Sequence, residues 1–157
     1  MDTNLIAFEI KSETETNESY LRKLGNEIIT IPKNSQDRNA RMILGHLIDS
    51  ASNNIHRVVH LQYRESPVDF PNYATFGNND RWIAIQNYKE EDWQEMISLW
   101  KSLNLHLAHV IRNIDESCLE KEWIAGPGRL ITLGKMINDY MPHFRLHIGE
   151  IIDLTTV

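Results

Sequence analysis

Four long segments with apolar residues at every third or fourth position constrain the fold of this chain more than any other feature. This spacing places apolar side chains on one face of an α-helix. The predicted helices span residues 13–29, 35–64, 89–114 and 132–152, and only the first is weakly patterned. No stretch alternates apolar and polar residues in the manner of a strand, so a sheet is not expected. The pattern predicts an all-α fold, a four-helix bundle.

The connections between these helices predict one domain with one long loop. A stretch with Pro67 and Pro71 joins the second and third helices, and long loops in compact domains are often functional. A second loop contains Gly126-Pro127-Gly128. The 157 residues contain no repeat or linker, so residues 1–157 are predicted to form a single domain.

Composition excludes several classes of partner. The formal net charge is -6 and there is no basic run, which argues against binding to nucleic acid or to an anionic membrane. No apolar stretch reaches the roughly 18 residues needed to cross a bilayer. Cys118 is the only cysteine, so the chain has neither an intrachain disulfide nor a cysteine-rich zinc site. The expected location is a reducing cytoplasm.

Two of the seven histidines have the spacing of metal ligands on a helix. His143 and His147 are four residues apart, which puts both imidazoles on one helix face, one turn apart. A single ion needs at least one more ligand from elsewhere in the bundle, and the best candidate is His46 on the second helix. The remaining histidines are interpreted as ordinary polar residues: His56, His60, His106 and His109.

The polar residues that follow His46 admit two interpretations. Asp49, Asn53 and Arg57 follow at three, seven and eleven residues, on the same side of the helix. The apolar arc of this helix is centred away from His46, so periodicity alone favours an ordinary solvated face. The alternative is a ligand with Asp49 as its hydrogen-bond partner and a polar wall for a substrate.

The segment Gly45-His46-Leu47-Ile48-Asp49-Ser50 resembles the signature of the DinB-like superfamily, which includes the bacillithiol transferases. In that family a histidine of the second helix and a fourth-helix H-x-x-x-H complete one metal site, which here implies His46, His143 and His147 as ligands. The resemblance also implies a homodimer. The transferase branch is further matched by Asn53, Arg57, the segment Pro71-Asn72-Tyr73 leading to Trp82, and Trp100. The chain departs from the family at Leu146, where a histidine is common, and at Pro142.

Three functions are compatible with such a site. Three neutral imidazoles would bind Zn²⁺, Ni²⁺ or Fe²⁺ and leave the ion its full charge, which acidifies a bound thiol or water. The resemblance implies a metal-dependent thiol S-transferase that conjugates a low-molecular-weight thiol to an electrophile. A metal-dependent hydrolase would need a carboxylate base, for which Asp49, Asp139 and Glu150 are candidates. The third alternative is a non-catalytic, stress-related bundle with a vestigial or structural metal site.

Overall fold

A computed structural model describes residues 1–71, 73–74 and 77–156. Most of these residues are helical, and short strands and two 3₁₀ turns connect the helices. The helices are α1 (Thr3–Leu21), α2 (Asn26–Thr30), α3 (Ala40–Tyr63), α4 (Asn78–Gln86), α5 (Trp93–Arg112) and α6 (Leu133–Asp153). The strands are β1 (Val68–Asp69), β2 (Glu122–Gly126) and β3 (Arg129–Thr132). Within these ranges no helix is both long enough and apolar enough to cross a bilayer.

The four long helices α1, α3, α5 and α6 form the predicted four-helix bundle. Both α1 and α3 pack against α5 and α6, and the apolar faces of all four meet in one core. Trp100 of α5 and Phe144 of α6 stack there, with ring centroids 5.6 Å apart. The fold class expected from the apolar periodicity is therefore confirmed.

Helix α1 begins well before the predicted start at residue 13. Asp2 caps it by accepting a hydrogen bond from the backbone N–H of Leu5. Its buried face includes Thr3, Ala7 and Thr14, and the hydroxyl of Thr14 donates to a backbone carbonyl of the same helix. Because small and polar residues occupy half of this face, an apolar pattern could not reveal it.

The long connection between α3 and α5 carries more structure than the irregular loop predicted. It contains β1, the nine-residue helix α4 and a 3₁₀ turn at Tyr88–Glu90. Asn72 lies outside the described residues. The side chain of Asp92 then accepts hydrogen bonds from the first-turn backbone of α5, so the third long helix starts at residue 93, after the predicted residue 89.

The expectation of no sheet was wrong. The strand order is β1-β2-β3, with β1 parallel and β3 antiparallel to β2. Strands of two to five residues are too short for alternation to be recognised in the sequence. In β2, Trp123 and Ala125 are buried whereas Ile124 is exposed. Thr132 ends β3 and caps α6, so the sheet continues directly into the helix that carries His143 and His147.

Candidate metal centre

Three histidine side chains from two helices converge at one point. His46 comes from α3, and His143 and His147 come from α6, which runs through Pro142 as one helix. Their candidate ligand nitrogens all lie within 4.8 Å of one another, and the Nε2 atoms of His46 and His143 are 3.2 Å apart. Two nitrogens on one tetrahedral Zn²⁺ would be about 3.3 Å apart, given metal–nitrogen bonds of ~2.0–2.1 Å. The spacing of the imidazoles therefore fits a divalent ion.

His46 is buried, with 4% of its surface exposed, which overturns the interpretation of its helix side as a solvated face. Periodicity failed here because the buried face of α3 contains polar residues. Burial, with the nearby His147 and His143, lowers the pKa of His46 to about 3. Burial and His147 lower the pKa of His143 to about 4. Both imidazoles are therefore neutral near pH 7, the form in which histidine binds metals.

Glu150 fixes the orientation of His147. Its Oε2 lies 2.8 Å from Nδ1 of His147, so the carboxylate accepts a hydrogen from Nδ1 and favours the tautomer with its lone pair on Nε2. Carboxylate partners of this kind orient histidine ligands in many metal sites. The sequence analysis named Glu150 as a candidate base, and in the structure its carboxylate is bonded to His147.

Tyr88, from the 3₁₀ turn, packs against Gly45, the residue before His46. A Cβ built on Gly45 would meet the Tyr88 ring at 2.2 Å, so only glycine leaves room for this ring. The Tyr88 hydroxyl and the Gln86 amide each donate to Oδ1 of Asp49 at 2.7 Å. Burial raises the pKa of Asp49, and these hydrogen bonds oppose the shift. Asp49 is thus a buried group, and its Oδ2 and the Nδ1 of His46 have no partner within the described residues.

A cavity of about 270 Å³ opens beside His143. It lies between α3, the segment after β1, the β2–β3 hairpin and α6. The lining residues used below are Ser50, Arg57, Tyr73, Trp123, Arg129, Asp139, Tyr140 and His143. Tyr73 connects the cavity to the histidines, because its ring centroid is 6.2 Å from that of His46, and its hydroxyl is hydrogen-bonded to Ser50.

Arg57 is enclosed by aromatic rings in this cavity. Its guanidinium carbon is 4.1 Å from the ring centroid of Trp123 and 5.4 Å from that of Tyr73. Only 7% of the residue is exposed, and burial lowers its pKa. Such cation–π contacts stabilise a desolvated guanidinium by about 2 kcal/mol. Like Asp49, Arg57 is not the solvated charge that periodicity favoured.

Asn53 does not line the cavity; its side chain bonds to the backbone of its own helix. Its amide donates 2.8 Å to the backbone carbonyl of Asp49, and Asn54 lines the cavity in its place. Two other side chains of this region, Tyr88 and Trp123, were missed in the sequence because they come from short elements without a periodic pattern. The Glu150 contact had a recognisable signal, a glutamate three residues after a candidate ligand.

Comparisons with known proteins identify a similar fold but do not assign the chain to a family. No model of a known protein family matches the chain, and no curated protein matches it. Among solved structures, the chain is similar to YfiT from Bacillus subtilis, with a TM-score of 0.79 and 18% identity over 98% of this chain and 84% of that one. YfiT is described as a probable metal-dependent hydrolase with an unusual four-helix bundle topology. The fold implied by the resemblance to the DinB-like superfamily is thereby confirmed.

Proposed function

We propose that this protein is a metal-dependent thiol S-transferase in which His46, His143 and His147 hold one divalent ion, Zn²⁺ or Ni²⁺, with Fe²⁺ as a further option. The observation that carries the proposal is the convergence of three imidazoles, two with depressed pKa values, beside a cavity. The fold shared with YfiT, which is described as a probable metal-dependent hydrolase, supports only the metal-binding part of the proposal. When bound, the ion would lower the pKa of a thiol or water at its open position.

The surrounding residues have separate roles in this proposal. Glu150 orients His147, and Tyr88 packs against Gly45, the residue before His46. Because histidine binds a metal in its neutral form, the three ligands would leave the full charge of the ion to favour a thiolate. Tyr73, Trp123 and Tyr140 give aromatic walls to the cavity in which the electrophile would lie.

The engagement of nearby carboxylates favours S-transfer over hydrolysis. Asp49 accepts hydrogen bonds from Tyr88 and Gln86, and Glu150 is bonded to His147. Asp139 is paired with Lys135 at 2.8 Å. A thiol that is already ionised needs no carboxylate base. Its sulfur forms a bond to the electrophilic carbon, the leaving group departs with its electron pair, and the thiol proton passes to solvent.

Asp139 favours hydrolysis as a second candidate. It lines the cavity with His143, one turn away on the same helix. The side chains of Asp139 and Lys135 are 54% and 61% exposed, and such exposed pairs are weak. Asp139 is therefore the carboxylate best placed to take a proton from water. A non-catalytic bundle is the remaining alternative.

Metal content and thiol consumption together test the proposal. We expect about one divalent ion per chain, and only background in a variant with alanine at His46, His143 and His147. The metal-loaded protein should consume a thiol in the presence of 1-chloro-2,4-dinitrobenzene, and the triple variant should not. The matched control carries alanine at the exposed positions His56, His106 and His109 and should behave as wild type.

Each alternative has its own signature in these assays. Wild-type metal content in the triple variant would show that the ligand assignment is wrong. Metal-dependent ester hydrolysis that Asp139→Asn abolishes, with no thiol consumption, would establish the hydrolase. A metal-loaded protein without either activity would favour the non-catalytic bundle.

A further inference from the structure

The cavity beside His143 is lined by a buried cation, Arg57, that has no counter-ion among the described residues. We propose that this cavity binds an oxyanion, a carboxylate or a phosphate, of a molecule that reacts at the histidine cluster, and that Arg57 is the residue that holds it. The inference rests on the proposed function for the reaction itself, whereas the anion site can be tested without turnover.

Arg57 is the first observation. More than nine-tenths of its surface is buried, and its Nη2 has no hydrogen-bond partner within the described residues. No carboxylate of the described chain forms an ion pair with it. A buried charge without a counter-ion is unfavourable. An anionic ligand would supply the missing counter-charge.

Trp123 provides a second, independent observation. Its indole Nε1–H is buried and has no acceptor within the same residues, and its ring lines the cavity. An indole nitrogen can only donate, and a guanidinium can only donate. The Arg57 and Trp123 donors would both be satisfied by a ligand group that accepts hydrogen bonds, as an oxyanion does.

The stacking of Arg57 on Trp123 covers the face of the guanidinium and leaves its edge for a ligand. Its face is covered by Trp123 at 4.1 Å, so the N–H groups project from the edge of the plane. That edge matches two oxygens of a carboxylate or phosphate in a bidentate contact. Arg129, which lines the cavity and is exposed, adds a second positive charge.

Tyr73 sets the distance between the anion and the reacting atom. Its ring lies 6.2 Å from the ring of His46 and 5.4 Å from the guanidinium carbon of Arg57. A ligand that extends from Arg57 to the histidines lies beside this aromatic side chain in the same cavity. The preferred substrate therefore carries its negative charge several bonds away from its reacting sulfur or carbon.

Calorimetry on the metal-loaded full chain tests the anion site without any reaction. The probes are acetate, inorganic phosphate and acetamide, and the comparison of the first two identifies the oxyanion. We expect one of the anions to bind and acetamide not to bind. Arg57→Gln should weaken that anion about 10- to 100-fold, the loss expected for a hydrogen bond between charged groups. Arg112→Gln, on an exposed arginine of α5, is the matched control and should bind as wild type.

Turnover separates this inference from the proposed function. With 3-mercaptopropionate, Arg57→Gln should raise KM about 10- to 100-fold at wild-type metal content, and it should raise KM for 2-mercaptoethanol far less. Arg57→Lys should restore part of the loss. If Arg57→Gln fails to fold, Trp123→Phe keeps an aromatic side chain but removes the indole N–H, and it should weaken anion binding several-fold.

Two results would overturn the anion site. One is that neither acetate nor phosphate binds to the wild-type protein. The other is that Arg57→Gln affects both thiols equally or neither of them. If anions bind through Arg57 and no thiol is consumed, the anion site stands and the transferase proposal fails.

Discussion

At the scale of single residues, the candidate metal centre depends on neighbours that hold its imidazoles in place. Glu150 bonds to His147. At the residue before His46, the Tyr88 ring packs against Gly45. Ligands that are already held in place bind an ion more tightly than ligands that binding must first order.

The first prediction concerns Glu150→Gln. The amide retains the shape of the side chain but removes the negative charge that accepts the Nδ1 hydrogen of His147. We expect metal affinity to fall about 10- to 100-fold, as it does when such partners are lost, while the helical fold is unchanged. Competition with a fluorescent chelator measures this affinity. Asp153→Asn, on the exposed end of α6, is the control, and an equal loss in that variant would refute the role of Glu150.

The second prediction concerns Gly45→Ala. The new methyl group would lie 2.2 Å from a ring carbon of Tyr88, so the ring must move and its hydrogen bond to Asp49 must break. We expect a loss of about 1–3 kcal/mol in the free energy of unfolding, together with weaker metal binding. Urea denaturation and metal titration measure the two effects.

A matched glycine provides the control for Gly45→Ala. A Cβ on Gly149 would meet nothing within 4 Å, and glycine within a helix is less stable than alanine by roughly 0.5–1 kcal/mol. Gly149→Ala should therefore stabilise the protein slightly. If both substitutions stabilise it, the packing of Tyr88 does not constrain position 45.

At the scale of elements, each long helix is stabilised by its apolar face and its caps. Asp92 and Thr132 accept hydrogen bonds from the first turns of α5 and α6, and the four helices share one apolar core. The histidine cluster joins only α3 to α6. The helices therefore do not depend on the ion for their formation, in contrast to zinc fingers.

Chelation is the third prediction. Removal of the metal should leave the far-UV circular dichroism almost unchanged and should lower Tm modestly, because a ligand at 100 times its Kd contributes only about 2.7 kcal/mol. The triple histidine-to-alanine variant should show no change in Tm on chelation. Unfolding of the wild type by chelator would show that the ion is structural and would favour the non-catalytic bundle.

At the scale of the whole molecule, folding without metal requires that two imidazoles be buried in their neutral forms. The folded-state pKa is about 3 for His46 and about 4 for His143, whereas an unfolded histidine has a pKa near 6.5. Between these values the unfolded chain binds more protons than the folded one. The contribution of these two histidines to the free energy of unfolding is therefore fully present above pH ~6.5, and it is lost as the pH falls toward the folded-state pKa values.

The homodimer stays a prediction, which light scattering can test.

The fourth prediction follows from this dependence of stability on pH. The metal-free protein should lose stability between pH 7 and pH 5, measured as the urea midpoint. A metal-free variant with glutamine at His46 and His143 should lose less, because its two positions do not titrate. Identical slopes for both proteins would show that burial of these histidines does not couple folding to pH.

The sequence by itself determined three of the four long helices, whereas the extent of α1 and the presence of α4 were not recognised. Periodic apolar residues specified the bundle, and the H-x-x-x-H spacing placed His143 and His147 on one face, because both are consequences of local helix geometry. His46 was found as a candidate, but its burial was not, since the apolar arc of α3 points elsewhere.

Only the tertiary structure decided what surrounds the histidines. Trp123 and Tyr88 come from a short strand and a 3₁₀ turn, elements too short to leave a periodic signal. Whether Arg57 is solvated or enclosed depends on the ring of Trp123, 66 positions later in the sequence, and no local pattern carries that information. The helix faces follow from contacts within a few residues, whereas the cavity exists only when distant segments pack against one another.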